Sequence, residues 1–243
     1  MSSKIIPLAT KEDVYFDYIN KYKDYYDRIG KKIRKSDMRV DLHPDQFAVL
    51  NSTRKEVIDN TIQIIDYHYK LLESFKIKNK ILVLHIGGNT FGKDNSIKRF
   101  INNFNKLPSY LKKSLVIEND DKIFNVSDVI KISKELNIPI VLDYHHHNCN
   151  KSDFDMKDIL DSWKDMIPKM HFSSPKNKKD YRNHSEYINS DDFISFIELL
   201  KKYDRDVDIM IEAKLEDDAL FRLVREIKYK TNYKFIDDTT FIV

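Results

Sequence analysis

Six short apolar runs punctuate the chain, separated by longer stretches of helical periodicity, and this alternation restricts the fold more than any other feature. MRVDLH (38–43), KILVLHI (80–86), SLVIEN (114–119), IPIVLD (138–143), PKMHFSS (168–174) and VDIMIEAK (207–214) read as buried strands. Ile58, Ile62, Ile65, Tyr69 and Leu72 recur at steps of three and four. So do Phe193, Phe196, Ile197 and Leu200, and then Leu220, Leu223, Val224 and Ile227. Such spacing lines one face of a helix. Ser190 is the expected N-cap of a helix over 191–203. Strand–helix alternation implies parallel strands joined by crossovers. Residues 1–243 contain no linker, repeat or low-complexity segment, so one α/β barrel domain is expected. Even with a possible strand stub at residues 1–5, an eight-stranded barrel needs further strands, which would precede Met1.

Composition narrows the setting. Hydrophobic residues at 41% and charged residues at 33% suit a soluble domain with a full core. The net charge of +3 is too small to argue nucleic-acid binding by itself. Cys149 is the one cysteine, which excludes an internal disulfide and makes a reducing compartment the default. The opening MSSKIIPLATKEDV has no apolar run of signal-peptide length, and nothing approaches the roughly 20 apolar residues of a membrane span. A soluble, cytoplasmic protein is expected, nucleoid-associated in function if it acts on DNA, with no obligate protein partner.

The strand ends carry the chemistry. His43 and His85 close the first two runs, Glu118 and Asp143 the next two, and His171 and Glu212 stand near the ends of the last two. In a barrel, the C-terminal strand ends converge on one mouth, where active sites sit. Period-2 alternation puts each ligand on a face shared with inward strand positions, as with Ile81, Val83 and His85. One such residue is more often a hydrogen-bonded structural group. Six in the same relative position point instead to metal, since an unpaired carboxylate inside a barrel costs several kcal/mol. His145, His146 and His147 follow Asp143, and His184 follows the strand bearing His171. Imidazole with carboxylate and no thiolate suits zinc, manganese or iron. Such clusters activate water and neutralise the oxygens of a phosphodiester. His68, within a helix and off the apolar stripe, is expected at the solvent edge. Lys169 shares a strand face with His171, where three states are open: a lost proton, carbamylation, or a bond to an inward carboxylate.

The ordered motifs HPDQFAVLNS, LVLHIGG, VIENDD, VLDYHHH, KMHFSS, NHSEYI and MIEAK resemble the UV damage endonuclease family over about residues 38–225. SSKIIPLAT resembles the segment after that family's second strand. The resemblance implies a TIM-type (β/α)8 barrel of the endonuclease IV and xylose isomerase-like kind, here without the first strand and most of the second. It implies an enzyme that nicks damaged double-stranded DNA 5′ of UV photoproducts and related lesions, leaving 3′-hydroxyl and 5′-phosphate ends. It implies two or three divalent ions, commonly Mn2+. The ligands implied are His43, His85, Glu118, Asp143, His146, His171, His184 and Glu212. Lys169 matches a carboxylated family lysine, and Gln46 a residue that probes the lesion. Beside it stands Phe47 where the family often has tyrosine. Thr10-Lys11 stands where the family tends to place a histidine.

From these positions, Lys176, Lys178, Lys179 and Arg182 are expected to neutralise phosphates, and Lys214, on the face of Glu212, to contact the scissile phosphate. Lys169, Lys214 and Glu212 are thus the expected catalytic groups. Two rival readings remain. A sugar isomerase or epimerase uses a similar barrel and ligand set. A non-catalytic relative would bind DNA or metal without cutting.

Overall fold

The computed structural model describes Ile6 and residues 16–243; the expected stub at residues 1–5 and the Thr10-Lys11 position lie outside the described residues. The chain divides into two compact units, Met1–Glu118 with Val129–Ile140, and Asn119–Asp128 with Val141–Val243.

In the first unit, helices α1 (Tyr18–Lys21), α2 (Lys23–Lys35), α3 (Lys55–Ser74), α4 (Lys93–Lys106) and α5 (Ser109–Ser114) accompany strands β1 (Leu82–His85) and β2 (Leu115–Glu118). The two strands are parallel, with His85 in register with Glu118. Helix α6 (Val126–Leu136) spans the division. The expected strand at 38–43 is reduced to one parallel bridge, Leu42 to Leu82. Its N–H meets the Ile81 carbonyl at 3.1 Å, and its carbonyl takes the Val83 N–H at 3.0 Å. Pro44, which has no N–H to donate, follows directly and stops the ladder.

The buried stripe of α3 is rotated from the expected one. Thr61, Ile65, His68, Leu71 and Leu72 face inward, while the Tyr69 ring lies tilted against that of Tyr110, with centroids 4.7 Å apart. His68 is therefore not a solvent-edge residue: it is 0% exposed. It lies three residues after Ile65 on the same helix face, and its Nδ1 bonds to the Ile64 carbonyl at 2.6 Å.

The second unit contains β3 (Ile140–Asp143) from Val141 onward, α7 (Tyr144–Cys149), α8 (Met156–Ser162), β4 (Lys169–Phe172), α9 (Ser190–Leu200), β5 (Asp208–Ile211) and α10 (Glu216–Lys230). A two-stranded hairpin, β6 (Lys234–Phe235) with β7 (Phe241–Ile242), closes the chain. β4 pairs in parallel with both β3 and β5, and Asp143 is in register with His171. Trp163, Phe172 and Phe196 are fully buried, with Tyr144 against Phe196 at 4.5 Å and Phe193 edge-on to Phe172 at 5.0 Å. The helix cap is one residue earlier than expected. Asn189 caps α9 through bonds from the Asp191 and Asp192 N–H groups, while the buried Ser190 donates to Glu226 at 2.7 Å.

Candidate active site

Parallel pairing explains how residues distant in sequence meet. In-register parallel strands end at the same level, so the last residues of neighbours lie side by side. In the first unit, His43, His85 and Glu118 each offer a ligand atom, all within 4.8 Å of one another. His43 follows the Leu42 bridge; its Nδ1 bonds to the Pro44 carbonyl at 3.0 Å, which fixes Nδ1 as the N–H. Its Nε2 then faces Glu118 Oε2 at 2.8 Å. The His85 Nε2 lies 3.7 Å from the same oxygen, and the two imidazole rings are 5.0 Å apart. A nitrogen lone pair directed at a carboxylate oxygen needs a proton or a cation between them. Glu118 is 1% exposed, so a cation there also removes the cost of a buried charge.

In the second unit, Asp143, His171 and Glu212 form a further group within 4.8 Å. Asp143 is fully buried and does two jobs. Its Oδ1 accepts the His146 N–H at 2.7 Å as the N-cap of α7, while the carboxylate stays beside His171 and Glu212. Glu212 stands one residue beyond β5, where its N–H bonds to the Phe172 carbonyl at 2.9 Å and so continues the pairing. Two imidazoles flank its carboxylate: His171 Nδ1 at 3.3 Å from Oε1 and His184 Nδ1 at 3.8 Å from Oε2. His146 Nδ1 lies 3.5 Å from Asp143 Oδ2. A cleft of about 450 Å³ opens beside these groups, lined by Arg182, Asn183, His184, Glu212, Ala213 and Lys214. Lys169 is buried at 4% exposure, two residues before His171 on the same strand face.

The expected nucleic-acid contacts separate into two kinds. Gln46 and Phe47 sit on an exposed turn, held by bonds from the Phe47 N–H to Asp45 Oδ1 at 3.1 Å and from the Ala48 N–H to the Asp45 carbonyl at 2.8 Å. Phe47 is 77% exposed. In the basic loop, Lys176 is 3.7 Å from Asp180 and Arg182 is 3.5 Å from Asp121, so both cations have acidic partners. Lys178 and Lys179 are exposed and have no ion pair among the described residues.

Asn119 is the residue that sequence reasoning missed. It is fully buried, and its side chain holds the backbone of Asp143 from both sides. Nδ2 donates to the Asp143 carbonyl at 3.0 Å, and Oδ1 accepts the Asp143 N–H at 2.9 Å. Its own carbonyl meets His146 Nδ1 at 3.1 Å. An amide inside the apolar run SLVIEN was the available signal. His145, also buried, bonds through Nε2 to the Arg182 carbonyl at 3.3 Å. Burial lowers the His145 pKa and raises that of the Cys149 thiol, so the imidazole is held neutral and the thiol protonated. Cys149 is no nucleophile in this state.

Comparisons with known proteins give a family model, curated relatives and solved structures. A family model described as UV-endonuclease UvdE matches residues 1–240. The UV DNA damage endonuclease of Bacillus cereus (strain G9842) is 38% identical, over 93% of this chain and 74% of its own. That of Bacillus anthracis is 36% identical, over 99% of this chain and 78% of its own. The crystal structure of SacUVDE superimposes with a TM-score of 0.86 at 34% identity, covering 94% of this chain and 78% of the other. The 3-keto-D-glucoside 4-epimerase of E. coli shares only the fold, with a TM-score of 0.57 at 13% identity over 84% of this chain and 86% of the other. These likenesses establish the xylose isomerase-like TIM-barrel class.

Proposed function

This chain belongs to the UV-endonuclease family, and from that premise we propose that it nicks damaged duplex DNA on the 5′ side of UV photoproducts and related lesions, leaving 3′-hydroxyl and 5′-phosphate ends. Membership makes it a DNA repair endonuclease, an enzyme acting on DNA. The observation that carries the finer reading is the pair of His/carboxylate groups at strand ends, each within 4.8 Å.

The donor sets fit divalent cations. Imidazole and carboxylate with no thiolate suit Mn2+ and its neighbours, and the buried carboxylates call for positive charge. Two or three such ions, when bound, supply water activation and neutralise charge developing on the scissile phosphate. His43, His85 and Glu118 hold one. Asp143, His171 and Glu212 hold another, with His146 and His184 completing its surroundings. Carboxylated, Lys169 adds an anion to the buried face of β4 in place of a cation. Lys214, on the wall of the cleft that Glu212 lines, brings a fixed positive charge to the phosphate.

Gln46 and Phe47 enter the duplex at the lesion. A damaged pair costs less to unstack, which supplies part of the selectivity. Lys178 and Lys179 neutralise backbone phosphates nearby. No helix among the described residues is long and apolar enough to cross a membrane.

Incubation with Mn2+ and a UV-irradiated supercoiled plasmid is the direct test. Nicked circles from irradiated DNA alone, with the break mapped 5′ of the photoproduct, are expected. Intact plasmid at saturating protein and metal would end the proposal, as would equal nicking of unirradiated DNA.

A further inference from the structure

Phe91 has no role in the function proposed above, yet it carries two costs at once. Its ring is 77% exposed, as much as that of Phe47. Its backbone has φ +62, in the left-handed region where a side chain crowds the carbonyl. A lone exposed apolar side chain is ordinary on a protein surface. One held in a strained backbone conformation with no ring partner among the described residues is less so.

The conformation follows from the turn. Gly92 donates its N–H to the Asn89 carbonyl at 2.8 Å, closing a four-residue turn in which Phe91 is third. Positive φ at that place ordinarily selects glycine or asparagine. Here the glycine comes one residue later, as Gly92.

The turn is also clamped. Asn95 Nδ2 donates to the Phe91 carbonyl at 2.8 Å, and Ser96 Oγ to the Thr90 carbonyl at 3.3 Å. Arg99 of α4 reaches the Thr90 carbonyl through Nη2 and the Asn51 carbonyl through Nε, the latter at 2.8 Å. Asn51 Nδ2 in turn donates to the Gly88 carbonyl. At Gly87, φ is +112 and a Cβ would lie 2.4 Å from Asn51 Oδ1, so the Gly87 backbone packs directly on the Asn51 side chain. The turn bearing Phe91 is thus tied to the segment that follows Gln46 and Phe47. It leaves β1 directly after the ligand His85.

We propose that Phe91 is a second DNA-stacking residue, whose rigidly presented ring takes the face of a nucleobase in the duplex that Phe47 enters. The inference rests on the function proposed above. Fixed aromatic faces bind bases well because the ring loses little freedom on stacking.

Fluorescence of Phe91→Trp on binding a duplex with one photoproduct, in EDTA to prevent cutting, tests it without reference to activity. The only native tryptophan, Trp163, is 0% exposed and serves as the internal control. Emission of Phe91→Trp is expected to be quenched on saturation, with no change in the unaltered protein. In parallel, Phe91→Gly relieves the backbone strain, so its Tm should be equal or higher. Its affinity for the damaged duplex, read by anisotropy of a labelled strand, should fall about five- to a hundredfold. Tight binding with unquenched emission overturns this inference alone. A lower Tm in Phe91→Gly also overturns it, by making the ring a packing element. Failure of the unaltered protein to bind the duplex in EDTA or with Ca2+ removes the proposed function and this inference together.

Discussion

The two ligand groups differ in what they offer a cation. The group in the first unit has one carboxylate, Glu118, with the imidazoles of His43 and His85. The group in the second has two carboxylates, Asp143 and Glu212, with His171. Nitrogen-rich donors favour zinc and later transition metals, while added carboxylate favours harder ions such as Mn2+. Exposure differs too. The Glu118 side chain is 1% exposed and that of Glu212 28%, and Glu212 lines an open cleft beside Lys214. An ion held by the first group would be enclosed, and one held by the second would face the cleft.

The largest expected effect comes from breaking either group. His85→Ala and Glu212→Ala should each lower nicking of irradiated plasmid by about a thousandfold or more, since the metal's contribution spans that range. Binding of the damaged duplex should change little. Full activity in one variant would show that its group is dispensable and erase the comparison.

Asn119→Ala sharpens the difference by acting on Asp143 of the second group. It removes both bonds that fix the Asp143 backbone. Loss of such supporting bonds typically weakens metal affinity about 10–100-fold. A Mn2+ titration followed by electron paramagnetic resonance should lose one tight site and retain another. Equal weakening of both would mean that the groups do not act separately.

A smaller effect tests the approach of DNA. Lys178→Ala and Lys179→Ala should each reduce the slope of log affinity against log salt by about 0.9 for every phosphate left without its lysine. Lys176→Ala should do less, because Asp180 already holds that ammonium 3.7 Å away. Identical slopes for all three would contradict this division of the loop.

The smallest concerns the buried His68 of the first unit. Burial, the leading cause, holds the His68 pKa below the ordinary histidine value. Neutral His68 therefore favours the folded state fully above about pH 6.5. Below that, the unfolded chain binds a proton that the folded one refuses, and stability falls as pH drops toward the folded pKa. Tm in EDTA should decline by a few degrees from pH 7.5 to 5.5, since each kcal/mol moves Tm by about 2–4 °C at this size. His68→Phe should flatten part of that decline. An unchanged pH profile would mean that His68 does not remain neutral.

Much of the site was legible because strands end abruptly. An apolar run that closes on His, Glu or Asp names its element and the donor atom at its end, as at His85, Glu118 and Asp143. Parallel register then does what no linear reading can, bringing Asp143 beside His171. Three of the four exceptions share a cause, namely that their partners are remote in sequence. His68 was misplaced because the apolar stripe of α3 turns by about one residue once Tyr69 finds Tyr110. The strand expected at 38–43 is the fourth, and its cause is local: beyond the Leu42 bridge the ladder stops because Pro44 has no N–H to donate. Arg182 reads as a free cation until Asp121 is seen 3.5 Å away. Asn119 looks like a strand residue until its amide is found mimicking a backbone around Asp143.

Anomalous diffraction at the manganese edge, from crystals grown with Mn2+, tests the central claim most directly. One peak should lie about 2 Å from ligand atoms of His43, His85 and Glu118, and another about 2 Å from those of Asp143, His171 and Glu212. Crystals soaked to saturation that show no ordered ion at either group, or ions held by other residues, would contradict it.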